Sequence, residues 1–350
     1  MPRLTVESLG KSYGRISALE NATLQVEDGE YVVILGPSGC GKSTLLKCIA
    51  GITKSDTGSI WMGDRRIDGL PPEERGVGYV FQNVALFPHM SVWDNVVYSP
   101  RVRAVPAHVY RPIVFEMLDV VRLSVGLEQY PSSLSGGAAQ KVSLTRCLVS
   151  GVELLLLDEP LSALDTRVRV QLRYELRRIV KEAKLTALHV THDQEEAMAI
   201  ADRIIVMNNA RIVETGTPEE LYLKPKELFT AQFLGEANLL KAKVVGLSPE
   251  GSILEIGGNV LRGPKLPEVR DAYCTVIVRP EFVNLNPSEG EIEGRVGKKS
   301  FAGSYFKLEV EVGNICLESK VSRKSVAASL KEGNKVRVRI MPENMIVFWP

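Results

Sequence analysis

Short apolar runs alternate with amphipathic stretches over the first two thirds of the chain. Residues 31–35 (Tyr-Val-Val-Ile-Leu) and 154–157 (four leucines) are continuous apolar runs, typical of strands buried on both faces of a parallel sheet. Residues 166–184 carry apolar side chains at helical spacing, which predicts a helix with one face packed on that sheet. Up to about residue 235 the pattern therefore predicts an α/β domain with a largely parallel sheet.

The same alternation predicts further elements of this domain. Residues 77–81 and 186–190 are predicted to be strands of the sheet, and residues 203–213 are predicted to form a hairpin. A helix is predicted to begin at Thr217-Pro218, because a hydroxyl N-cap followed by proline favours a helix start.

Two regions depart from this alternation. Residues 89–133 are rich in proline and have one clear helical pattern, at residues 113–121, so they are predicted to form a small, mostly helical insert. After residue 236, short alternating runs separated by Gly, Pro and Asn predict a small β-barrel. These runs lie at residues 252–256, 274–279, 292–296, 306–312, 315–320 and 335–340. The predicted domains are residues 1–235, with a helical subdomain at about 89–150, and residues 236–350.

Composition limits the possible partners. The 43 Lys and Arg residues nearly balance the 42 Asp and Glu residues, so we expect no nucleic-acid partner. Five scattered cysteines without CxxC pairs are typical of reduced thiols in a cytosolic protein. The N-terminal segment lacks the apolar core of a signal peptide, and no apolar run approaches the roughly 18 residues of a membrane span. Any membrane role is therefore expected to depend on a separate membrane protein.

The sequence GPSGCGKS at residues 36–43 lies between a predicted strand and a helix predicted at residues 43–50. In that context G-x-x-x-x-G-K-S predicts a phosphate-binding loop, because glycines let backbone N–H groups turn toward phosphate oxygens at a helix N-terminus. Lys42 is expected to contact the β and γ phosphates, and Ser43 to offer its hydroxyl to Mg²⁺. The predicted nucleotide-binding residues of this segment are Gly36, Pro37, Ser38, Gly39, Cys40, Gly41, Lys42, Ser43 and Thr44.

Polar residues follow three of the predicted strands at the edge where such a sheet binds ligands. Asp158 is expected to hold Mg²⁺, and Glu159 to polarise the attacking water. His192 is expected to contact the γ-phosphate, and the Gln82 amide can either ligate Mg²⁺ or bind the attacking water. The predicted catalytic residues are thus Glu159, His192 and Lys42, and the predicted metal ligands are Ser43, Gln82 and Asp158.

Two further features complete the predicted nucleotide site. Tyr13 could stack on adenine, although a core tyrosine is about equally compatible with the sequence. Ser135-Gly136-Gly137 opens a predicted helix and forms a second candidate anion site. Because one chain does not need two phosphate cradles for one nucleotide, the sequence favours a head-to-tail homodimer, in which this turn covers the γ-phosphate held by Lys42 of the other chain.

Together these motifs resemble the ATP-binding cassette (ABC) family along the whole chain. The resemblance assigns Walker A to residues 36–43, the Q-loop to Gln82, the signature to residues 134–137, Walker B to residues 154–158 followed by Glu159, the D-loop to residues 162–165 ending in Asp165, and the switch histidine to His192. It also implies that Ser135, Gly136, Gly137 and Gln140 contact the partner's nucleotide. The segment after the signature departs from the usual family sequence at Ala138, Ala139 and Lys141.

The C-terminal part resembles the transport-associated OB (TOBE) domain of importer ATPases for sugars, polyamines, iron and sulfate, at residues 278–281 and 341–347. The resemblance implies a P-loop domain with a helical insert followed by an OB-like barrel, and ATP and Mg²⁺ as cofactors. It implies a peripheral homodimer at the cytoplasmic face of the cell membrane. That homodimer would dock through its inserts under two integral-membrane permease subunits, supplied by an extracytoplasmic solute-binding protein. Residues 233–238 resemble the junction in polyamine, iron or inorganic-anion importers more than the junction in sugar importers, so the resemblance favours those solutes.

Three alternatives explain less of the sequence. A soluble cassette ATPase acting on ribosomes or DNA usually carries two cassettes or a long coiled coil, and we find neither. A transcriptional regulator whose barrel senses an oxyanion would need a helix-turn-helix, and we find none in the sequence. A simple kinase or GTPase accounts for residues 36–43 but leaves residues 134–137 without a role.

Overall fold

A computed structural model of the chain describes residues 3–266 and 268–350. Backbone contacts separate the chain into two units, Met1–Glu219 and Glu220–Pro350. The stretch around residue 230, which the sequence pattern places in the first domain, packs within the second unit. There Ala231 clusters with Ile277 and Phe348, and its carbonyl accepts a hydrogen bond from Arg279 Nη1 at 2.8 Å.

The first unit contains two sheets and the helices that pack on them. Its strands are β1 (Leu4–Tyr13), β2 (Ile16–Val26), β3 (Tyr31–Leu35), β4 (Thr57–Met62), β5 (Arg65–Arg66), β6 (Val77–Val80), β7 (Leu154–Asp158), β8 (Thr186–Thr191), β9 (Arg203–Asn208) and β10 (Arg211–Gly216). Its helices are α1 (Lys42–Ala50), α2 (Val92–Val96), α3 (Tyr98–Val102), α4 (Ala107–Val121), α5 (Gly136–Val149), α6 (Thr166–Glu182) and α7 (Gln194–Ile200).

The larger sheet has the order β10-β9-β3-β8-β7-β6, and all its neighbouring pairs are parallel except β10 with β9. The carboxyl ends of β3, β6, β7 and β8 therefore meet at one edge, where the phosphate loop and the predicted polar residues follow. The smaller, antiparallel sheet has the order β2-β1-β4-β5, and one core encloses α1 between residues of both sheets. The predicted parallel α/β domain is confirmed, whereas the antiparallel sheet was not predicted.

The insert contains more helix than its sequence pattern indicates. Besides α4, it includes the short helices α2 and α3, and its core joins Val92, Val96 and Val114 to Val142 of α5. Helix α4 begins at Ala107 and continues through Pro112, which the pattern treated as a boundary. Interior proline usually interrupts a helix because it removes one backbone hydrogen bond, and here the packed apolar face outweighs that loss.

The second unit consists of two antiparallel sheets over one core. Its strands are β11 (Asn238–Ser248), β12 (Gly251–Ile256), β13 (Asn259–Arg262), β14 (Tyr273–Val278), β15 (Val283–Asn286), β16 (Ile292–Phe301), β17 (Tyr305–Val312), β18 (Ile315–Ser322), β19 (Lys335–Ile340) and β20 (Met345–Phe348). Helices α8 (Pro218–Leu223) and α9 (Leu228–Phe233) precede them. The sheet β15-β19-β16-β17-β18 nearly closes, because Ser319 Oγ on β18 donates to Val283 O on β15 at 2.6 Å. The predicted barrel is thus confirmed.

In the part of the chain that the structure describes, every helix is too short or too polar to cross a lipid bilayer.

Candidate active site

The phosphate loop joins β3 to α1 and is enclosed by backbone atoms. Gly41, at the N-cap of α1, has a φ of 105°, which only glycine adopts readily. A Cβ atom on Gly41 would lie 2.2 Å from the Ala18 carbonyl oxygen, and one on Gly36 would lie 2.3 Å from the Met207 carbonyl oxygen. These glycines therefore let the loop pack closely against the backbone of both β9 and β2.

Lys42 lies within this loop and is only 5% exposed. Its Nζ donates to the carbonyl oxygens of Gly36 and Pro37, each at 2.8 Å. The first turn of α1 contains no acidic residue. The loop therefore gathers positive charge, from the ammonium group and the helix N-terminus, and its own side chains there supply no carboxylate.

Asp158 connects three elements at the carboxyl edge of the sheet. Ser43 Oγ donates to Asp158 Oδ1 and the Tyr79 hydroxyl donates to Asp158 Oδ2, both at 2.7 Å. Burial and the adjacent carboxylate raise the pKa of Tyr79 well above its usual range. Tyr79 is a site residue that the sequence motifs do not mark. Its place on β6, three residues before Gln82, was the available signal.

Glu159, which follows β7, contacts Gln82, which follows β6, and His192, which follows β8. Its Oε2 lies 3.2 Å from Gln82 Nε2 and 3.2 Å from His192 Nδ1. Its backbone is in the left-handed region, with φ of 47°, and its N–H donates to Val190 O at 2.9 Å. Such a conformation costs a non-glycine residue on the order of 1 kcal/mol. The strained turn directs the carboxylate to the two side chains, of which His192 is 55% exposed.

The signature turn lies at the surface of the first unit. Ser135 caps α5, with its Oγ accepting from Ala138 N at 3.3 Å, and both Ser135 and Gly136 are exposed. A Cβ on Gly136 would lie 2.8 Å from Leu164 Cδ2, so the turn packs closely on the D-loop. In that loop Asp165 caps α6 by accepting from Val168 N at 3.0 Å.

Three other predicted residues have different environments. Tyr13 is 50% exposed at the end of β1, so it is not a core tyrosine. Thr44 is half-buried in the first turn of α1. Gln140, expected to contact a partner's nucleotide, is 2% exposed, and neither polar atom of its side chain forms a hydrogen bond within the described ranges. Contact between Gln140 and a partner's nucleotide would therefore require this buried amide to become exposed.

Two buried titratable residues beside the site escaped the sequence analysis. Burial lowers the pKa of His189, on β8, to about 3, and burial raises the pKa of Glu196, on α7, to about 6. No sequence signal marks them, because a polar residue in an apolar strand or an acidic residue in a helix is usually solvated.

Comparisons with known proteins agree with this arrangement. A family model described as "ABC transporter" matches residues 19–162, and one described as "TOBE domain" matches residues 276–348. The sulfate/thiosulfate import ATP-binding protein CysA 2 of Chromobacterium violaceum is 44% identical over 88% of this chain and 83% of its own length. The spermidine/putrescine import ATP-binding protein PotA is 37% identical in Legionella pneumophila, over 89% of this chain and 88% of its own. The protein of the same name in Marinobacter nauticus is 39% identical over 91% of this chain and 87% of its own length.

Two solved structures share the fold of the first unit. An ATP-binding cassette of an ABC transporter in its ADP conformation superposes with a TM-score of 0.58 at 24% identity, covering 67% of this chain and 100% of its own. A dimeric post-hydrolysis state of another ATP-binding cassette, bound to ADP and Pi, superposes with a TM-score of 0.54 at 28% identity. The match covers 61% of this chain and 98% of the other. The chain therefore belongs to the ABC transporter family, as an ATP-binding and ATP-hydrolysing subunit of the importer type with a C-terminal TOBE domain.

Proposed function

We propose that two copies of this chain close on two ATP molecules and hydrolyse them to drive solute uptake through separate permease subunits. The observation that carries this proposal is the placement of Gln82 and His192 on one oxygen of Glu159, at the sheet edge that also carries the phosphate loop. A carboxylate held by an amide and an imidazole can accept a hydrogen bond from a water molecule and orient it toward a phosphate.

The phosphate loop binds the nucleotide within one chain. Lys42 exchanges its two carbonyl partners for the β and γ phosphate oxygens, while the N–H groups of residues 38–44 supply further donors. The half-exposed ring of Tyr13 stacks on the adenine. These contacts bind ATP but do not by themselves orient water.

The residues around Asp158 suit a bound Mg²⁺ ion. The Ser43 hydroxyl and the Asp158 carboxylate are already 2.7 Å apart, and hydroxyl, carboxylate and amide oxygens are hard ligands of the kind that Mg²⁺ prefers. Ser43 and Gln82 would hold the ion directly and Asp158 through water. When bound, Mg²⁺ neutralises charge that develops on the β and γ phosphates.

Glu159 and His192 carry out the hydrolysis step. Glu159 accepts a hydrogen bond from the attacking water and aligns it behind the γ-phosphate, and His192 contacts the γ-phosphate oxygens. Gln82, exposed and bonded to Glu159, links this group to the segment that leads into the helical insert.

The second half of each site comes from the partner chain. Ser135, Gly136 and Gly137 present an exposed helix N-terminus, which is suited to the γ-phosphate of a nucleotide bound by another copy. Asp165, the last residue of the D-loop and the N-cap of α6, would lie in the same interface. ATP then favours the closed dimer because only that state binds both faces of the nucleotide, and hydrolysis removes this preference.

The helical insert offers a docking surface for the permease. Tyr98, Arg101 and Val102 on α3, with Met90 and Asp94, line an open groove of about 420 Å³. Val102 is 68% exposed, and Asp94 and Arg101 form an ion pair at its side. An apolar floor with a charged rim suits a short helix of an integral-membrane subunit. This docking would place the chain, as a peripheral subunit, at the cytoplasmic face of the cell membrane.

The transported solute is proposed to be an inorganic anion or a polyamine, with iron less supported and sugar disfavoured. The relatives named for sulfate/thiosulfate and for spermidine/putrescine import support the first two classes. An extracytoplasmic binding protein and the permease, and not this chain, would contact the solute.

The test compares uptake in cells lacking this chain with uptake after complementation. We expect the wild-type chain to restore ATP-dependent uptake of radiolabelled sulfate or putrescine but not of maltose. Glu159→Gln should restore uptake of none of the three solutes. Affinity-purified chain should bring down two integral-membrane subunits from detergent extracts. Recovery of ribosomes or DNA instead, with no uptake defect, would contradict the transport function.

A further inference from the structure

A buried polar network lies behind His192, and the roles proposed above leave it unused. Glu196 on α7 is 3% exposed, and its Oε2 accepts a hydrogen bond from the Thr191 hydroxyl at 2.9 Å. Its Oε1 lies 3.4 Å from Nε2 of His189, a fully buried residue of β8. A carboxylate so deeply buried is rare unless its polar partners fix it in place.

The network continues across the sheet to β3. Nδ1 of His189 lies 2.9 Å from the hydroxyl of Tyr31, which is also fully buried. If the hydroxyl donates to Nδ1, the ring proton of the neutral imidazole is on Nε2 and faces Glu196. Nε2 and Oε1 have no hydrogen bond to any other residue that the structure describes. Since an unpaired buried polar atom is costly, each is the natural partner of the other.

The same network fixes the backbone on both sides of His192. The Thr191 hydroxyl accepts from Asp193 N at 3.0 Å, and Asp193 Oδ1 accepts from Glu196 N at 2.9 Å. Arg173, on α6, donates to Asp193 Oδ2 at 3.2 Å. The residues before and after His192 are therefore held, while the His192 side chain itself is half-exposed and touches Glu159.

The space between this network and the catalytic carboxylate is too small for a ligand. Glu196, Thr191 and Arg169 line it together with Glu159 and His192, and its volume is about 10 Å³. A single water molecule is the most that such a space can hold. The network therefore holds residues of the site in position and does not form a second binding site.

We propose that Glu196 is a positioning residue for ATP hydrolysis. Through Thr191 and Asp193 it fixes the loop that presents His192, and His189 and Tyr31 hold its carboxylate from the sheet. This inference rests on the proposed role of His192 and adds the residues that set the position of its imidazole.

The first experiment compares Glu196→Ala with Glu195→Ala in the full-length chain. Glu195 is its exposed neighbour on the same helix, so it controls for the loss of an acidic residue. We expect Glu196→Ala to lower kcat by at least about tenfold with the KM for ATP changed by less than about threefold, because the phosphate loop is untouched. Glu195→Ala should match wild type. Glu196→Gln should recover most of the rate, since its amide oxygen can still accept from Thr191. The His189 ring can move its proton to Nδ1, so that Nε2 accepts from the new amide N–H and Tyr31 Oη accepts from Nδ1.

A double-mutant cycle with His192→Ala separates positioning from a general structural role. If Glu196 acts through His192, Glu196→Ala should change the residual rate by less than about twofold once His192 is absent. An equal loss in both backgrounds would overturn the inference. Should Glu196→Ala fail to fold, Thr191→Val removes only the connecting hydroxyl at nearly constant volume. We expect it to lower kcat at least about threefold in the wild-type background alone.

The outcomes also separate this inference from the proposed function. Normal hydrolysis by His192→Ala would refute the catalytic assignment of His192 itself. A strong defect in His192→Ala with additive losses for Glu196→Ala and Thr191→Val would refute only the positioning role.

Discussion

Helices α1 and α5 both begin next to glycines, but the N-terminus of α1 is enclosed by its own chain, whereas that of α5 is exposed at the surface. At α1 the glycines let the loop pack against the backbone of β2 and β9, and Lys42, 5% exposed, lies inside. At α5 the space left by Gly136 is taken by Leu164 of the same chain, while Ser135 remains exposed. We therefore propose that the first helix completes a phosphate pocket within one chain. The second would present its exposed turn to a nucleotide held by another copy, which is the physical basis for the proposed composite site.

The largest effect is expected at the enclosed pocket. Lys42→Ala should lower both ATP affinity and hydrolysis, with kcat/KM falling by about 10³-fold or more, because the only side-chain cation inside the loop is lost. A fluorescent ATP analogue measures binding, and phosphate release measures turnover. Lys47→Ala, in the last turn of the same helix, is the matched control and should change neither by more than about twofold. ATP binding by Lys42→Ala at wild-type affinity would contradict the phosphate-loop assignment.

Glu159→Gln should separate binding from hydrolysis. The amide keeps the shape of the side chain but is a poor base, so kcat should fall by about 10²-fold or more while ATP is still bound. Size-exclusion chromatography with ATP should show a stable dimer, since the nucleotide that joins the chains persists. Near-normal hydrolysis by this variant would remove Glu159 from the catalytic role.

Gly136→Asp tests the exposed turn. It should leave ATP binding to the isolated chain within about threefold and lower hydrolysis by about 10²-fold, because a carboxylate would face the partner's γ-phosphate. The added Cβ displaces only the flexible end of the Leu164 side chain, so the turn itself should be kept. Mixing it with Lys42→Ala is the decisive measurement. One site of the mixed dimer then combines an intact loop with an intact turn, so activity should reappear although each variant alone is inactive. A site complete within one chain predicts no recovery on mixing.

Acid should destabilise the sheet beneath the phosphate loop. The folded-state pKa of His189 is about 3, below the ordinary value near 6.5, so the unfolded chain takes up a proton first as the pH falls. Between pH 7.5 and pH 5 this residue should cost the folded state about 2 kcal/mol of unfolding free energy. His189→Gln should lose correspondingly less stability over that interval in urea unfolding. Parallel curves for the two proteins would contradict a buried neutral imidazole.

The smallest effect is expected for the cap of α5. Ser135→Ala removes one exposed N-cap hydrogen bond and should lower the unfolding free energy by at most about 1 kcal/mol. Ser135→Asn retains a capping oxygen and should restore it. Urea unfolding at constant protein concentration measures both. A loss of several kcal/mol would mean that the turn is part of the core and not a free surface.

Sequence patterns were most informative for features that depend on residues close together in the sequence. The loop at residues 36–43 and the polar residues after β6, β7 and β8 were predictable, because parallel strands place their carboxyl ends at one edge. Most barrel strands were also predicted, since alternation and turn residues recur within a few positions. The strands β1 and β2 were missed because their partners are distant in sequence or the pairing is irregular, with several register shifts.

By itself, the sequence determined the strands of the parallel sheet, the glycine-rich loop and the identity of the polar groups at the sheet edge, because backbone preferences and hydrophobic periodicity act over a few residues. Only the tertiary structure decided that Gln140 points inward, that Gln82 and His192 share one oxygen of Glu159, and that Glu196 faces His189 beneath them. Burial and the pairing of polar atoms depend on side chains from separate strands and helices, and no local pattern encodes which of them meet.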